Sequence, residues 1–195
     1  MRELILVPIV HSLADMGSMS RGLEEISIQK LGKERWERNV IMIEKFWNEV
    51  ELALDKLKLD YSKIRVYQDG LPCTREDLIL KIINQTAEKG SRNYKIIKKL
   101  MERGAKIEGT ESPELLLEEF NSIKAFAEAG SKEEKEKALK RFEKTKNELM
   151  EKRDEFIAKR IDTTLKSGET GILFIGAHHD VKQKLANDIN LKSLD

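Results

Sequence analysis

Residues 170–181, TGILFIGAHHDV, constrain the fold of this chain more than any other stretch. A near-continuous apolar run bounded by glycines reads as a strand buried on both faces, at the centre of a parallel sheet. Such a strand delivers the residues after it to the carboxyl edge of the sheet, where ligands of open α/β folds collect. Here Gly176 is followed by His178, His179 and Asp180, and these are two of the three histidines in the chain. The third, His11, ends another apolar run, ELILVPIV over 3–10, which reads as the first strand. Pro8 marks a bulge in it or a position outside its hydrogen-bond ladder.

Between these runs the hydrophobic period changes from strand to helix. Trp36, Val40, Ile43, Trp47, Val50, Leu54 and Leu57 alternate spacings of four and three, which predicts a long amphipathic helix over 33–59. KIRVYQ at 63–68 reads as a second strand closed by Asp69-Gly70. Thr74 with Asp77 resembles a capping box opening a helix through 88. Gly90 and Gly104 bracket a further helix, and residues 105–108 form a third short strand. Ser112-Pro113 then gives an N-cap with proline at the first helical position. Ser131 with Glu134 opens the longest helix, to about 165, and a possible edge strand lies near 189–191. Strands separated by helices of crossover length predict one α/β domain over 1–195, a three-layer structure with a mostly parallel sheet flanked by helices. The last long helix spans roughly 50 Å, more than a small domain's diameter. That excess and the apolar seam of the first helix predict long helices packed between subunits of a homo-oligomer.

Charge narrows the range of partners. Lys and Arg number 36 against 35 Asp and Glu, so a net charge of +1 provides no bulk attraction to nucleic acid or an anionic membrane, and neither is expected as a partner. Charged residues at 36% resemble the ion-pair-rich surfaces of thermophile proteins. One cysteine excludes an internal disulfide. The N-terminal apolar run is broken by Pro8 and His11, and none reaches a membrane-spanning length, so a cytoplasmic protein is expected. The segment SLADMGSMSRG lacks a Walker or dinucleotide glycine pattern and reads as a plain loop. An anion cradle using Ser18, Ser20 and Arg21 is the alternative. Cys73, near a helix start, carries no catalytic signature and reads as a spectator thiol.

The chemistry-bearing residues fall just after predicted strands: His11, Asp69, Glu108 or Glu111, and the His178-His179-Asp180 run. Imidazoles and carboxylates gathered in one cleft can hold a divalent metal ion, whose bound water is a nucleophile near neutral pH. Without metal, the same groups serve as general acid and base. No spacing here is a zinc signature such as H-E-x-x-H. His11 and His179 are expected as metal ligands on opposite walls of one cleft, with Asp69 or Glu111 as a carboxylate ligand or base. His178 is expected to point away.

The segment KRDEFIAKRIDTTLKSGETGILFIGAHHDV resembles the closing module of the TraB/TIKI, ChaN and erythromycin-esterase-like superfamily. In that module a helix with an Arg-Asp or Arg-Asn start leads into an apolar strand ending in Gly-x-x-His. The matching residues are Arg153-Asp154 and Gly176-Ala177-His178-His179. The superfamily's first strand also ends in Gly-x-x-His, which Pro8-Ile9-Val10-His11 resembles with proline in place of glycine. Asp69 stands where a strand-end glutamate is usual. The resemblance implies an α/β fold and, for some members, metal-dependent hydrolysis, including peptide cleavage. The expected function is a metal-dependent hydrolase of a small or peptidic substrate, with Arg153 orienting a substrate anion. A ligand-binding or regulatory protein that keeps the cleft without the chemistry is the alternative.

Overall fold

In the computed structural model, residues 1–12, 15, 28 and 32–194 are described. The loop positions Ser18, Ser20 and Arg21 lie outside the described residues. In chain order the elements are β1 (Arg2–Ile9), α1 (Lys33–Lys56), β2 (Ile64–Gln68), α2 (Glu76–Glu88) and α3 (Arg92–Glu102). They continue with β3 (Lys106–Glu108), α4 (Pro113–Ala127), α5 (Lys132–Thr164), β4 (Thr170–Gly176) and β5 (Ile189–Ser193). All strand pairings are parallel, in the spatial order β3-β2-β4-β1-β5, so the TGILFIG strand is central as its composition demands. The sheet flanked by helices is the expected three-layer α/β fold.

Alternation along each strand divides the core in two. Ile5, Val7, Val66, Ile172 and Phe174 face α1, α2 and α3, packing on Trp47, Leu54, Ile83 and Ile97. Leu4, Tyr67 and Leu173 face the other side and pack on Ile157, Ala158, Ile161 and Leu165 of α5 and its C-cap. Chain leaving β1 and β2 therefore builds one outer layer, and chain leaving β3 builds the other. Where neighbouring strands send their chains to opposite faces, a crevice opens at the carboxyl edge. β4, between β2 and β1, borders that crevice.

The local signals behave as their chemistry dictates, with two corrections. Ser112 Oγ accepts from the Leu115 amide, and Ser131 with Glu134 completes a reciprocal capping box. Thr74 does not cap a helix: α2 begins at Glu76 with Arg75 at its N-cap and no side-chain cap bond. Arg153 and Asp154 do not head a helix either, because the Ser131 cap starts α5 more than twenty residues earlier and they sit in its buried second half. Pro8 opposes Ile175 of β4, beyond the last β1–β5 pair at Leu6 and Ser193, so its missing N–H breaks no bond to β5. Among the described residues, no helix is long and apolar enough to cross a membrane.

Candidate functional site

β2, the β3–α4 turn, the β4–β5 turn and α5 each contribute to one polar cluster. Asp69 follows β2, and its amide donates to Phe174 O of the adjacent β4 at 2.9 Å, which fixes it at the crevice. Glu111, fully buried, lies in the turn after β3, where its amide and that of Thr110 donate to Leu71 O. His179 follows β4, its amide donating to Gly176 O at 3.2 Å in a tight turn. Arg153 and Asp154 project from α5, both buried.

The contacts are close and mutually dependent. Arg153 donates to both oxygens of Glu111, from Nε at 3.1 Å and Nη2 at 2.6 Å. It also reaches Asp69 Oδ1 at 2.9 Å and Glu119 of α4 at 2.9 Å. His179 lies between two carboxylates, with Nδ1 at 2.5 Å from Asp154 Oδ1 and Nε2 at 3.3 Å from Asp69 Oδ2. Asp154 Oδ2 takes the Asp180 amide at 2.8 Å, and Asp69 Oδ2 takes the Gly176 amide at 3.0 Å.

Electrostatics follow from this packing. Burial works against a charged His179, but hydrogen bonds and charge from Asp69 and Asp154 outweigh it, and its pKa is pushed up to about 9. Burial likewise disfavours ionised Asp69, but His179, Glu111 and Arg153 hold its pKa well below the usual carboxylate range. For Glu111 burial wins over Arg153, and the neighbouring Asp69 charge adds to it, so its pKa is raised. Two carboxylates this close divide their protonation between them. Burial also opposes the Arg153 charge, yet Glu111, Glu119 and Asp69 hold its pKa above the ordinary value.

Ligand atoms of Asp69, Glu111 and His179 lie within 4.8 Å of one another, so this triad could hold a metal ion. In the whole cluster four carboxylates, of Asp69, Glu111, Glu119 and Asp154, face two cations, Arg153 and His179. The surplus negative charge and the mixed imidazole and carboxylate donors both fit a divalent ion.

Of the expected site residues, Asp69, Glu111, Arg153 and His179 are brought together. His11 is not part of this cluster: it is exposed, two residues past the last β1–β4 pair. Its neighbour Val10 is tied by its carbonyl to Trp47 Nε1 of α1 at 3.0 Å, toward the layer opposite α5. His178 is exposed, as its outward assignment requires. Arg153, expected to orient a substrate anion, has its donors engaged by three carboxylates. Glu108 pairs with Arg65 and Arg160 instead of joining the cluster. The half-buried Cys73 thiol donates to Gly109 O at 2.9 Å, and burial pushes its pKa up, which suits a spectator. Asp154 and Glu119 acquire roles the sequence did not indicate, although Asp154 adjoins Arg153 in the Arg-Asp pair of the α5 motif.

The fold and cluster define an α/β protein with a buried histidine, arginine and carboxylate centre at a crevice of a parallel sheet. No family model matches the chain, and no curated protein or solved structure matches it.

Proposed function

We propose that the chain is a metal-dependent hydrolase of a small or peptidic substrate, with Asp69, Glu111 and His179 holding a divalent cation. The observation that carries this reading is the convergence of those three side chains at the carboxyl edge of the sheet. A cation bound there supplies a Lewis acid and lowers the pKa of a coordinated water toward neutrality. Asp154, an acceptor only, holds the proton of His179 on Nδ1 and leaves Nε2 as the donor atom toward the ion. Arg153 neutralises Glu111 and Asp69 and fixes their orientation. Asp154 alone of the Arg153-Asp154 pair touches the Gly-x-x-His turn, through His179 and the Asp180 amide, while Arg153 reaches it through Asp69.

The test is metal content of the purified protein, titration with Zn²⁺, Mn²⁺ and Mg²⁺ by calorimetry, and a screen of ester and amide hydrolysis. One ion per chain is expected, lost together with hydrolysis in Asp69→Asn and His179→Ala and retained in His11→Ala. Failure to bind any of these ions up to pH 9.5, where His179 is neutral, overturns the metal reading.

A further inference from the structure

Beside the cluster lies a recess of about 450 Å³ whose lining includes Phe142, Lys146, Leu149 and Met150 of α5, Glu119 of α4 and His178 of the β4–β5 turn. Its volume falls within the range of sites for small organic ligands. Two of its walls are shared with the candidate centre. Glu119 is bonded to Arg153 Nη1, while Nη2 of the same guanidinium bonds Asp69 and Glu111, so one planar group links the recess wall to both carboxylates. His178 is joined by a peptide bond to His179. The adjacent histidines thus divide, one turned to Asp69 and Asp154 and the other lining the recess.

The lining also has a chemical direction. Phe142, Leu149 and Met150 form an apolar wall, and Lys146 supplies an ammonium that makes no ion pair among the described residues. Glu119, the acidic residue of the lining, is turned to Arg153, which it shares with Asp69 and Glu111. A partly buried apolar wall beside an exposed ammonium with no ion-pair partner among the described residues selects an amphipathic anion. A larger groove of about 1020 Å³ along α4 and α5 shares only Phe142 with this recess and does not include His178 or Glu119.

We propose that this recess is the substrate pocket and takes a small apolar carboxylate, its apolar body on Phe142, Leu149 and Met150 and its carboxylate at Lys146. An acyl amino acid or short peptide ending in an apolar residue has this form. The substrate assignment rests on the hydrolase reading, but the binding site itself does not.

The test therefore measures binding in metal-free, full-length protein labelled with ¹³C-methyl methionine, titrated with N-acetylphenylalanine and, separately, with its uncharged carboxamide. Saturable movement of the Met150 methyl signal is expected, with Met101, in the opposite layer, unmoved. The carboxamide is expected to bind at least tenfold more weakly, and Lys146→Gln to erase that preference. Met150→Trp fills the recess and is expected to abolish binding of both probes with the circular dichroism spectrum unchanged. Asp69→Asn should still bind the probe even where it has lost metal, which separates this site from the hydrolase reading. Absence of a saturable Met150 shift with any apolar N-acetyl amino acid, or equal binding of acid and amide by the wild type, overturns the proposal.

Discussion

Asp154 Oδ1 and His179 Nδ1 stand 2.5 Å apart, joining the interior of α5 to the turn after the central strand. The bond sets which face of the imidazole meets Asp69, and the second Asp154 oxygen holds the same turn through the Asp180 amide. A carboxylate behind a ligating histidine fixes its tautomer and raises its basicity.

Asp154→Asn is therefore expected to weaken divalent-ion binding by about 10- to 100-fold while the chain stays folded, since the carboxamide oxygen still accepts from Nδ1. Calorimetric titration of the variant and wild type checks this. Equal affinities would remove Asp154 from the centre.

The pH dependence has a definite sign. His179 is raised from 6.5 to about 9 in the fold, so its stabilising contribution is complete below pH 6.5 and disappears as pH rises through 9. The contribution is on the order of 3 kcal/mol for a side chain this well covered. Asp69 is lowered, so its contribution is present above pH 3.8 and is lost on acidification. Glu111, raised, adds to the decline above 4.5. Metal-free protein is expected to be most stable between about pH 4 and 6.5 and to lose stability toward pH 9. A bound cation reverses the trend, because it displaces the His179 proton and gains affinity by about tenfold per pH unit below 9. Thermal melts with and without metal across this range distinguish the two slopes.

Arg153→Met leaves Asp69, Glu111 and Glu119 without their shared cation. Removing one partner of a buried ion pair costs about 3–5 kcal/mol. Denaturant unfolding should show a loss of that size at pH 7, smaller at pH 4, toward which Glu111, with its raised pKa, takes up a proton. A variant as stable as the wild type at both values would mean that Arg153 is not the cation that stabilises this cluster.

The sheet was legible because its strands are unusually explicit: the β4 run is apolar on both faces, and the glycines of 168–176 bracket it. Asp69, Glu111 and His179 were legible for the same reason, as each comes after a strand. The sequence left open the face to which each chain turns after its strand. His11 follows β1 in the same way as His179 follows β4, yet the Val10 carbonyl is tied to Trp47 on the opposite layer. The partners on α5 were obscure because a helix shows its neighbours only through hydrophobic period. Arg153 lies four residues from both Leu149 and Ile157 on the buried stripe, and Asp154 beside it, but the period says nothing of the partners such polar residues meet there.

Self-association is expected from apolar residues that the monomer leaves uncovered. Leu117, Phe120, Ile123 and Phe126 of α4 and Leu139 of α5 are exposed, as are Ile41, Met42 and Leu52 of α1. This is more than the singly scattered apolar residues of an ordinary surface. A second copy of the chain is expected to cover the exposed apolar residues of α4, giving a dimer by light scattering at micromolar concentration. Phe120→Glu should convert it to a monomer. A monomeric wild type at high concentration removes the idea.

Gly176→Ala tests the centre without deleting any of its functional groups. A Cβ at this position would meet Asp69 Oδ2 at 3.0 Å and His179 Cδ2 at 3.7 Å, so the contact falls on a side chain that can give way. The Gly176 amide already holds that same carboxylate oxygen at 3.0 Å. The methyl group is thus expected to push Asp69 off its line with His179, weakening ion binding and hydrolysis together while lowering the melting temperature by only a few degrees, about 1 kcal/mol. Gly109→Ala provides the contrast. There a Cβ would lie 2.7 Å from Cys73 Cα and 2.8 Å from Pro72 O, which are backbone atoms, so the turn carrying Glu111 must shift and the whole fold should lose stability. If Gly176→Ala melted as low as Gly109→Ala, or bound metal as tightly as the wild type, the placement of Asp69 against the end of β4 would not control the centre.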